Sequence, residues 1–371
     1  MLNVLERPLT HGQPVTIFSA PYQIASPLLE EFVATLYAAY AQATTVPVQR
    51  DYQIGGYLLR LCATDKRLLS LLTPALAHLA TRSNERVPDL TIYLGERART
   101  GIALPPFPVE WQLAMLQGEV WGIHAHSEQF QLFFQPAQQL LSCFDRTQQR
   151  AIFWIQDIQQ LSLTEASAPM LTLLHWWLGT HGQQVVHGAA VGTAAGGVLL
   201  VGKSGVGKST TALHCLRAGL LYIGDDYCLV ETKANPIVHS LYSSSKIHFP
   251  ELANFPNLRL AHHQATYLEA DKSLCFLHKH FQSQITSHLP LRALLVPQVT
   301  GHPRTRVTAI SPAAAMLALA PSTAFQLPGA KRQTMQQLSE IVRCVPGYRL
   351  DLGIDGAEIA TTIVEFLEQS A

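Results

Sequence analysis

The sequence predicts an α/β protein in two parts, a mixed α/β region over residues 1–160 and a second α/β unit over 161–371. Three observations predict it. Apolar runs of strand length and amphipathic stretches of helical period occur in both parts. In the second part Gly202, Gly207, Lys208 and Ser209 match G-x-x-x-x-G-K-[ST], set between an apolar run and a helical stretch. Hydrophobic residues make up 48% of the 371 residues and charged ones only 14%, enough to bury a large core and to leave surface for a homo-oligomer.

Taken in order, "PVTIFS" reads as a strand. "SPLLEEFVATLYAAYA" reads as a helix with Pro27 in its first turn, where the missing N–H costs nothing. "LTIYLG", "GEVWGIHAH", "FQLFF" and "AIFWIQD" read as strands, the last three as a meander. From about residue 162, "SLTEASAPMLTLLHWWLGTHG" reads as one amphipathic helix ended by Gly179 and Gly182. "QVVHGAAV" and "GGVLLVG" are strands joined by "GTAAGG". The glycine-rich loop and a helix ended by Gly219 follow, and "LLYIGDD" is the next strand. "LRALLVP", "TRVTAI" and "YRLDLG" complete the strands, with helices at "SPAAAMLAL" and "KRQTMQQLSEIVRCV". "DGAEIATTIVEFLEQ" is the last helix, with capping-box spacing at Asp355 and Glu358.

Charge excludes some partners. Lys+Arg and Asp+Glu are both 26, so no global field draws the chain to nucleic acid or to an anionic membrane. The opening "MLNVLERPLT" has charges at Glu6 and Arg7 and no apolar run behind them, unlike a signal peptide. No run approaches the length of a membrane helix. The six cysteines are scattered without a C-x-x-C pair, as free thiols of a reducing compartment would be. A cytoplasmic location is the expectation.

The loop is the chemical centre of the sequence. Its glycines let backbone N–H groups turn inward around a phosphate chain, and the following helix N-terminus adds its positive end. Gly202, Lys203, Ser204, Gly205, Val206, Gly207, Lys208, Ser209 and Thr210 are therefore expected to hold a nucleotide. Lys208 would bridge its terminal phosphates and the Ser209 hydroxyl would ligate Mg²⁺. The chain lacks the N-K-x-D of a guanine reader and the L-S-G-G-Q of a transporter ATPase, and "RALLVPQV" ends in Pro297 and Gln298 where a Walker-B acid would stand. Asp225 and Asp226 lie 17 and 18 residues after Lys208, an interval that holds one helix and one strand. A crossover between parallel strands would bring them to the loop edge of the sheet. One acid there can serve the metal and the other can take a proton from an attacking hydroxyl.

"HGAAV", "GGVLLVGKSGVGKSTTAL" and "IGDD" together resemble the HPr kinase/phosphorylase family over about residues 186–231. "HSLYSSSKIHF", "ADKSLCFL", "APSTAFQLPG" and "VPGYRLDLG" continue the likeness more weakly, toward related kinases that phosphorylate a serine on lasso-peptide precursors. The resemblance implies a P-loop core like that of phosphoenolpyruvate carboxykinase, with ATP and Mg²⁺ as cofactors. It implies Asp225 as the catalytic base and Asp226 as its neighbour near the metal. It also implies His187 near the transferred phosphate and Lys246 as an added phosphate contact; alone, these two read as a turn residue and a solvated loop residue. The implied reaction is transfer of the γ-phosphoryl group to a hydroxyl, most simply a serine of a peptide or small protein. A small-molecule kinase and a nucleotide-dependent module without transfer are the alternatives. Thr210 replaces the Glu that usually follows the loop Lys-Ser, and the long family signature segment has no counterpart, which argues against HPr itself as acceptor.

Two further features read as structural. The pairs His124/His126 and His278/His280 share strand faces, but no acid or cysteine cluster completes them. Trp176 and Trp177 read as helix residues packed in the core.

Overall fold

Gly55 and Gly56 take φ of 56° and 90° and fold strand β1 (Val48–Ile54) back on β2 (Tyr57–Ala63). This two-glycine hairpin starts an eight-stranded mixed sheet. The computed structural model describes residues 26–43, 47–82, 86–108, 112, 122–233, 235–256, 258, 272–324, 326–329 and 331–369. The remaining strands of this sheet are β3 (Ala80–Thr81), β4 (Leu90–Glu96), β5 (Ile123–His126), β6 (Phe130–Gln135), β7 (Leu140–Asp145) and β8 (Arg150–Ile155). Their order is β3-β1-β2-β4-β8-β7-β6-β5, with β2, β4 and β8 parallel. Helix α1 (Ser26–Ala43) buries Leu29, Phe32, Val33 and Leu36 in a core with Leu132, Ile152 and Trp154. Helix α2 (Lys66–Leu72) is capped by Asp65, whose carboxylate accepts from Leu68 N.

The expected helix and the strands at "FQLFF" and "AIFWIQD" are present; of the strand expected over residues 118–126, Ile123–His126 is formed and residues 118–121 lie outside the described residues. The hairpin β1–β2 and strand β7 were not expected, and the strand expected at residues 14–19 lies outside the described residues. The single helix expected from residue 162 is two, α3 (Leu163–Ser167) and α4 (Leu171–Thr180). Pro169 cannot donate to the turn before it, and Met170 takes φ of 59°, so the chain changes direction between them. Trp176 and Trp177 of α4 are buried among Leu59, Leu61, Phe153, Val185 and Leu229, so one core spans both sheets.

The second sheet carries the glycine-rich loop. Strands β9 (Gln183–Thr193) and β10 (Gly196–Val201) form the expected hairpin. The other strands are β11 (Leu221–Gly224), β12 (Tyr227–Glu231), β13 (Ile237–Ser240), β14 (Ser244–His248), β15 (Lys272–Phe276), β16 (His288–Val299), β17 (Arg306–Ile310) and β18 (Gly347–Leu352). The long strands β9 and β16 change partners along their length, closing a ring β9-β10-β16-β13-β12. β14 and β15 pair separately. Beyond β16 lie β18, parallel to it, and the edge strand β17.

Helix α5 (Lys208–Arg217) connects β10 to β11, and Gly219 at φ of 95° ends it as expected. β10 and β11 are both antiparallel to β9, so they run parallel to each other with β9 between them. Helices α6 (Pro312–Ala324) and α7 (Lys331–Cys344) cover one side of the sheet through Ala315, Leu319, Leu338 and Ile341, and α8 (Gly356–Gln369) covers the other through Ile359 and Ile363. The capping box at α8 is half formed. Asp355 accepts from Ala357 N at 2.9 Å, but the Glu358 carboxylate faces Thr305 N at 3.4 Å instead of the cap. Among the described residues no helix is long and apolar enough to cross a membrane.

Candidate functional site

At the end of β10 the chain turns through residues 202–207. Gly202, Gly205 and Gly207 take φ of 139°, 82° and 100°, conformations that side chains resist. A Cβ on Gly207 would also stand 2.8 Å from Leu352 Cδ1. α5 opens at Lys208, and its first N–H groups have no partner within the helix. The Lys208 ammonium is buried at 6% exposure and donates to the carbonyls of Gly202 at 2.9 Å and Lys203 at 3.1 Å. Burial lowers its pKa, while Asp225 and Asp226 pull it back upward.

The acid pair sits where β11 passes into β12. Both strands pair with β9, so the chain continues along one neighbour and kinks at the pair. Asp226 forms the kink with φ of 67°, a conformation Asp tolerates better than most residues. Its carbonyl accepts from Gly188 N at 2.9 Å, which ties the kink to β9.

The kink gives the two carboxylates different surroundings. Asp225 is 2% exposed, and both its oxygens are engaged. Oδ1 accepts from Ser209 Oγ at 2.8 Å and from Asp226 N at 2.9 Å; Oδ2 accepts from Ser245 Oγ at 2.8 Å. Asp226 keeps more solvent contact. Its Oδ2 is 2.8 Å from Lys246 Nζ on β14, and its Oδ1 is 3.9 Å from His187 Nε2 on β9, an electrostatic contact longer than a hydrogen bond. Burial and the charge of Asp226 push the Asp225 carboxyl up, against the two serine hydrogen bonds. Burial also pushes Asp226 up, but His187 and Lys246 outweigh it and hold this acid below the usual carboxylate range.

Register explains how His187 arrives. It faces Tyr227 across β9–β12, with the rings 5.4 Å apart, and its backbone N–H donates to Thr323 Oγ1 at 3.1 Å. The structure thus brings together Lys208, Ser209, Asp225, Asp226, His187 and Lys246, with Lys203, Ser204, Gly205 and Val206 on the loop and Thr210 in the first turn of α5. Ser209 Oγ donates to Asp225 Oδ1, while Asp226 faces Lys246 and His187.

Two residues escaped the sequence reading. Ser245 holds Asp225, and only its place beside Lys246 in "SSSK" hinted at it. Glu165 in α3 lies near Lys246; burial pushes its carboxyl up to about 7, against a hydrogen bond from Gln135 and the charge of Lys246. No motif marks it. Among the described residues no three His, Cys, Asp or Glu side chains form a self-sufficient metal cage, and His124 stacks on Trp176 at 5.8 Å.

Lys246→Ala tests the pairing with Asp226. A depressed folded-state pKa stabilises above the unfolded value near 4, and that stability is lost as pH falls through the folded pKa. The variant is therefore expected to be less stable than wild type by about 1–2 kcal/mol at neutral pH. The difference should hold from pH 7 down to about 4 and shrink below that, as read from urea midpoints between pH 7 and about 2.

Residues 180–253 match the family described as HPr Serine kinase C-terminal domain. The HPr kinase/phosphorylase of Malacoplasma penetrans (strain HF-2) is 33% identical over 84 residues, which are 22% of this chain and 28% of that protein. The chain therefore matches under a third of its curated relative's length. A solved structure, the Hpr(Ser) kinase/phosphatase from Coxiella burnetii, aligns with 50% of this chain and 96% of its own. Its identity is 12% and its TM-score 0.27, too low to carry an argument about the fold. The sequence matches support an HPr-kinase-like family for the part of the chain that holds the site.

Proposed function

We propose that this protein is an ATP-dependent phosphotransferase that moves the γ-phosphoryl group to a hydroxyl, most simply a serine of a peptide or small protein. One observation carries the reading: the buried Asp225 accepts a hydrogen bond from Ser209 of the loop while its neighbour Asp226 faces Lys246 and His187. Phosphate loop, metal-side acid and outward acid are thereby within one constellation, on the segment that matches the HPr kinase family.

Mg²⁺ fits this donor set. A buried carboxylate beside a second one is costly without a cation, as the raised pKa of Asp225 reflects. Ser209 and Asp225 offer two oxygen ligands, the usual protein share for an ion that takes phosphate oxygens and water as the rest. When bound, the ion neutralises charge on the transferring phosphates.

The roles follow from access. Lys208 binds the terminal phosphates after exchanging its carbonyl partners for them. Asp225 holds Ser209 on the metal side. Asp226, with side-chain exposure of 23%, orients the acceptor hydroxyl and takes its proton. This exchanges the roles of the two acids relative to the family resemblance, because both oxygens of Asp225 accept hydrogen bonds, whereas Asp226 Oδ1 has only the 3.9 Å contact with His187. Lys246 and His187 place positive or hydrogen-bonding groups beside the developing charge.

The test is incubation of the full chain with ATP, Mg²⁺ and serine-containing peptides, followed by mass spectrometry of the products. Phosphoserine is expected, and Lys208→Ala is expected to lower its formation by about 10²-fold or more while weakening ATP binding. ATP binding with no transfer to any acceptor would replace this reading by that of a nucleotide-dependent regulatory module.

A further inference from the structure

The run 242–246 ties the acid pair to the rest of the fold, residue by residue. The Tyr242 hydroxyl donates to Pro169 O at 2.8 Å, and Ser244 Oγ donates to Ser167 O at 2.6 Å. Ser243 donates twice to Ala75 O, from N at 2.8 Å and from Oγ at 3.2 Å. Ser245 and Lys246 then hold Asp225 and Asp226, each at 2.8 Å. All three serines are buried.

Each contact answers a need of its partner. α3 ends at Ser167, and the last carbonyls of a helix lack partners within it. Pro169 brings no N–H to the break before α4. The Ser244 and Tyr242 hydroxyls satisfy the carbonyls on either side of Ala168. Ala75 belongs to a short 3-10 helix, Pro74–Leu79, in the first unit. His78 of the same helix stands with Nε2 2.6 Å from Ser240 Oγ, so this helix grips the chain at both Ser240 and Ser243. A second line from the first unit reaches the same place. Gln135 of β6 hydrogen-bonds Glu165 of α3, near Lys246.

These ties control where Ser245 and Lys246 stand. Successive strand residues are linked at about 3.3 Å, so a shift of Ser244 carries the next two residues with it. A hydrogen bond of 2.8 Å is lost beyond about 3.5 Å. Misplacing a reacting group by about 1 Å can cost about 10²-fold in rate. We propose that Ser243 and Ser244 are positioning residues, through which the first unit and α3 set the acid pair for phosphoryl transfer. The inference rests on the transfer reaction proposed above. Lys208, Ser209, Asp225, Asp226, His187 and Lys246 all come from the second unit, and the first unit acts on them through this seam.

The test measures single-turnover transfer on the full chain, with Mg²⁺, ATP and a serine-containing peptide that wild type phosphorylates, beside ATP affinity. Ser244→Ala is expected to lower transfer by about tenfold and Ser243→Ala by about threefold, with ATP affinity within about twofold of wild type in both. Ser243→Ala keeps the backbone bond to Ala75, so it remains informative if Ser244→Ala folds poorly. Gln183→Met is the control. It removes another contact with the first unit, Gln183 Nε2 to Gly55 O at 2.8 Å, four positions from His187 on β9, and should leave transfer within about twofold. A purely structural role would give losses that multiply with those of Ser245→Ala. A positioning role acts through Ser245, so the double variant Ser244→Ala, Ser245→Ala should fall short of that product by about threefold or more. Wild-type transfer in both serine variants, multiplying losses in the double variant, or an equal loss in Gln183→Met would overturn the proposal. No transfer by wild type to any peptide would instead overturn the proposed reaction, and the positioning role with it.

Discussion

Asp226→Asn is expected to lower phosphoryl transfer by about three orders of magnitude while ATP affinity stays within about threefold. Asparagine keeps the shape and tolerates φ of 67°, so the kink between β11 and β12 survives. The change removes one charge, the partner of Lys246 at 2.8 Å and of His187 at 3.9 Å. Ground-state binding of ATP depends on the loop and on Lys208, which keeps its carbonyl partners in the loop and the charge of Asp225 beside it. Loss confined to the transfer step is therefore the signature of a group acting on the acceptor hydroxyl. Single-turnover transfer from labelled ATP, measured beside ATP affinity, reads the two effects separately. Transfer at the wild-type rate would remove Asp226 from the mechanism and return the proton to Asp225. Alanine is a poorer probe here, because its side chain offers nothing to support the left-handed backbone.

The loop and the acid pair were legible because they are local. A glycine pattern between a strand and a helix needs no knowledge of distant residues, and the short interval to Asp225 limits where that residue can go. The pairing partners were less legible because they come from elsewhere in the fold. Ser245 and Lys246 reach the acids only because β14 lies next to them, and His187 arrives through the register of β9 with β12. Sequence spacing alone would put neighbouring strand residues on opposite faces. It does not foresee that Asp226 would kink and leave Asp225 with Ser209. The hairpin β1–β2 carried a readable signal in Gly55-Gly56, whereas the break before α4 shows a proline overriding an apolar helical pattern. Glu165 was not readable at all, since its meaning comes from Gln135 on the other sheet.

Asp225→Asn is expected to abolish transfer and yet to stabilise the metal-free protein. The folded-state pKa of Asp225 is raised, so the folded protein holds its proton more tightly than the unfolded chain does. Stability then falls as pH rises from the unfolded value through the folded one, the reverse of the usual case for an acid. Asparagine carries no such penalty and can still accept from Ser209 or Ser245 through its carbonyl oxygen. A gain of roughly 1–3 kcal/mol is expected at pH 8 without divalent cations, fading below pH 4 where Asp225 is protonated in both states. Added Mg²⁺ with nucleotide should stabilise wild type more than the variant, because only the carboxylate pairs with the cation's charge. Melting curves at several pH values, with and without Mg²⁺ and nucleotide, measure both effects. A variant less stable than wild type at pH 8 without metal would show that the hydrogen bonds to Asp225 outweigh its buried charge. The proposed division then fails in its first half: a metal-side acid held at a cost in stability until the cation arrives.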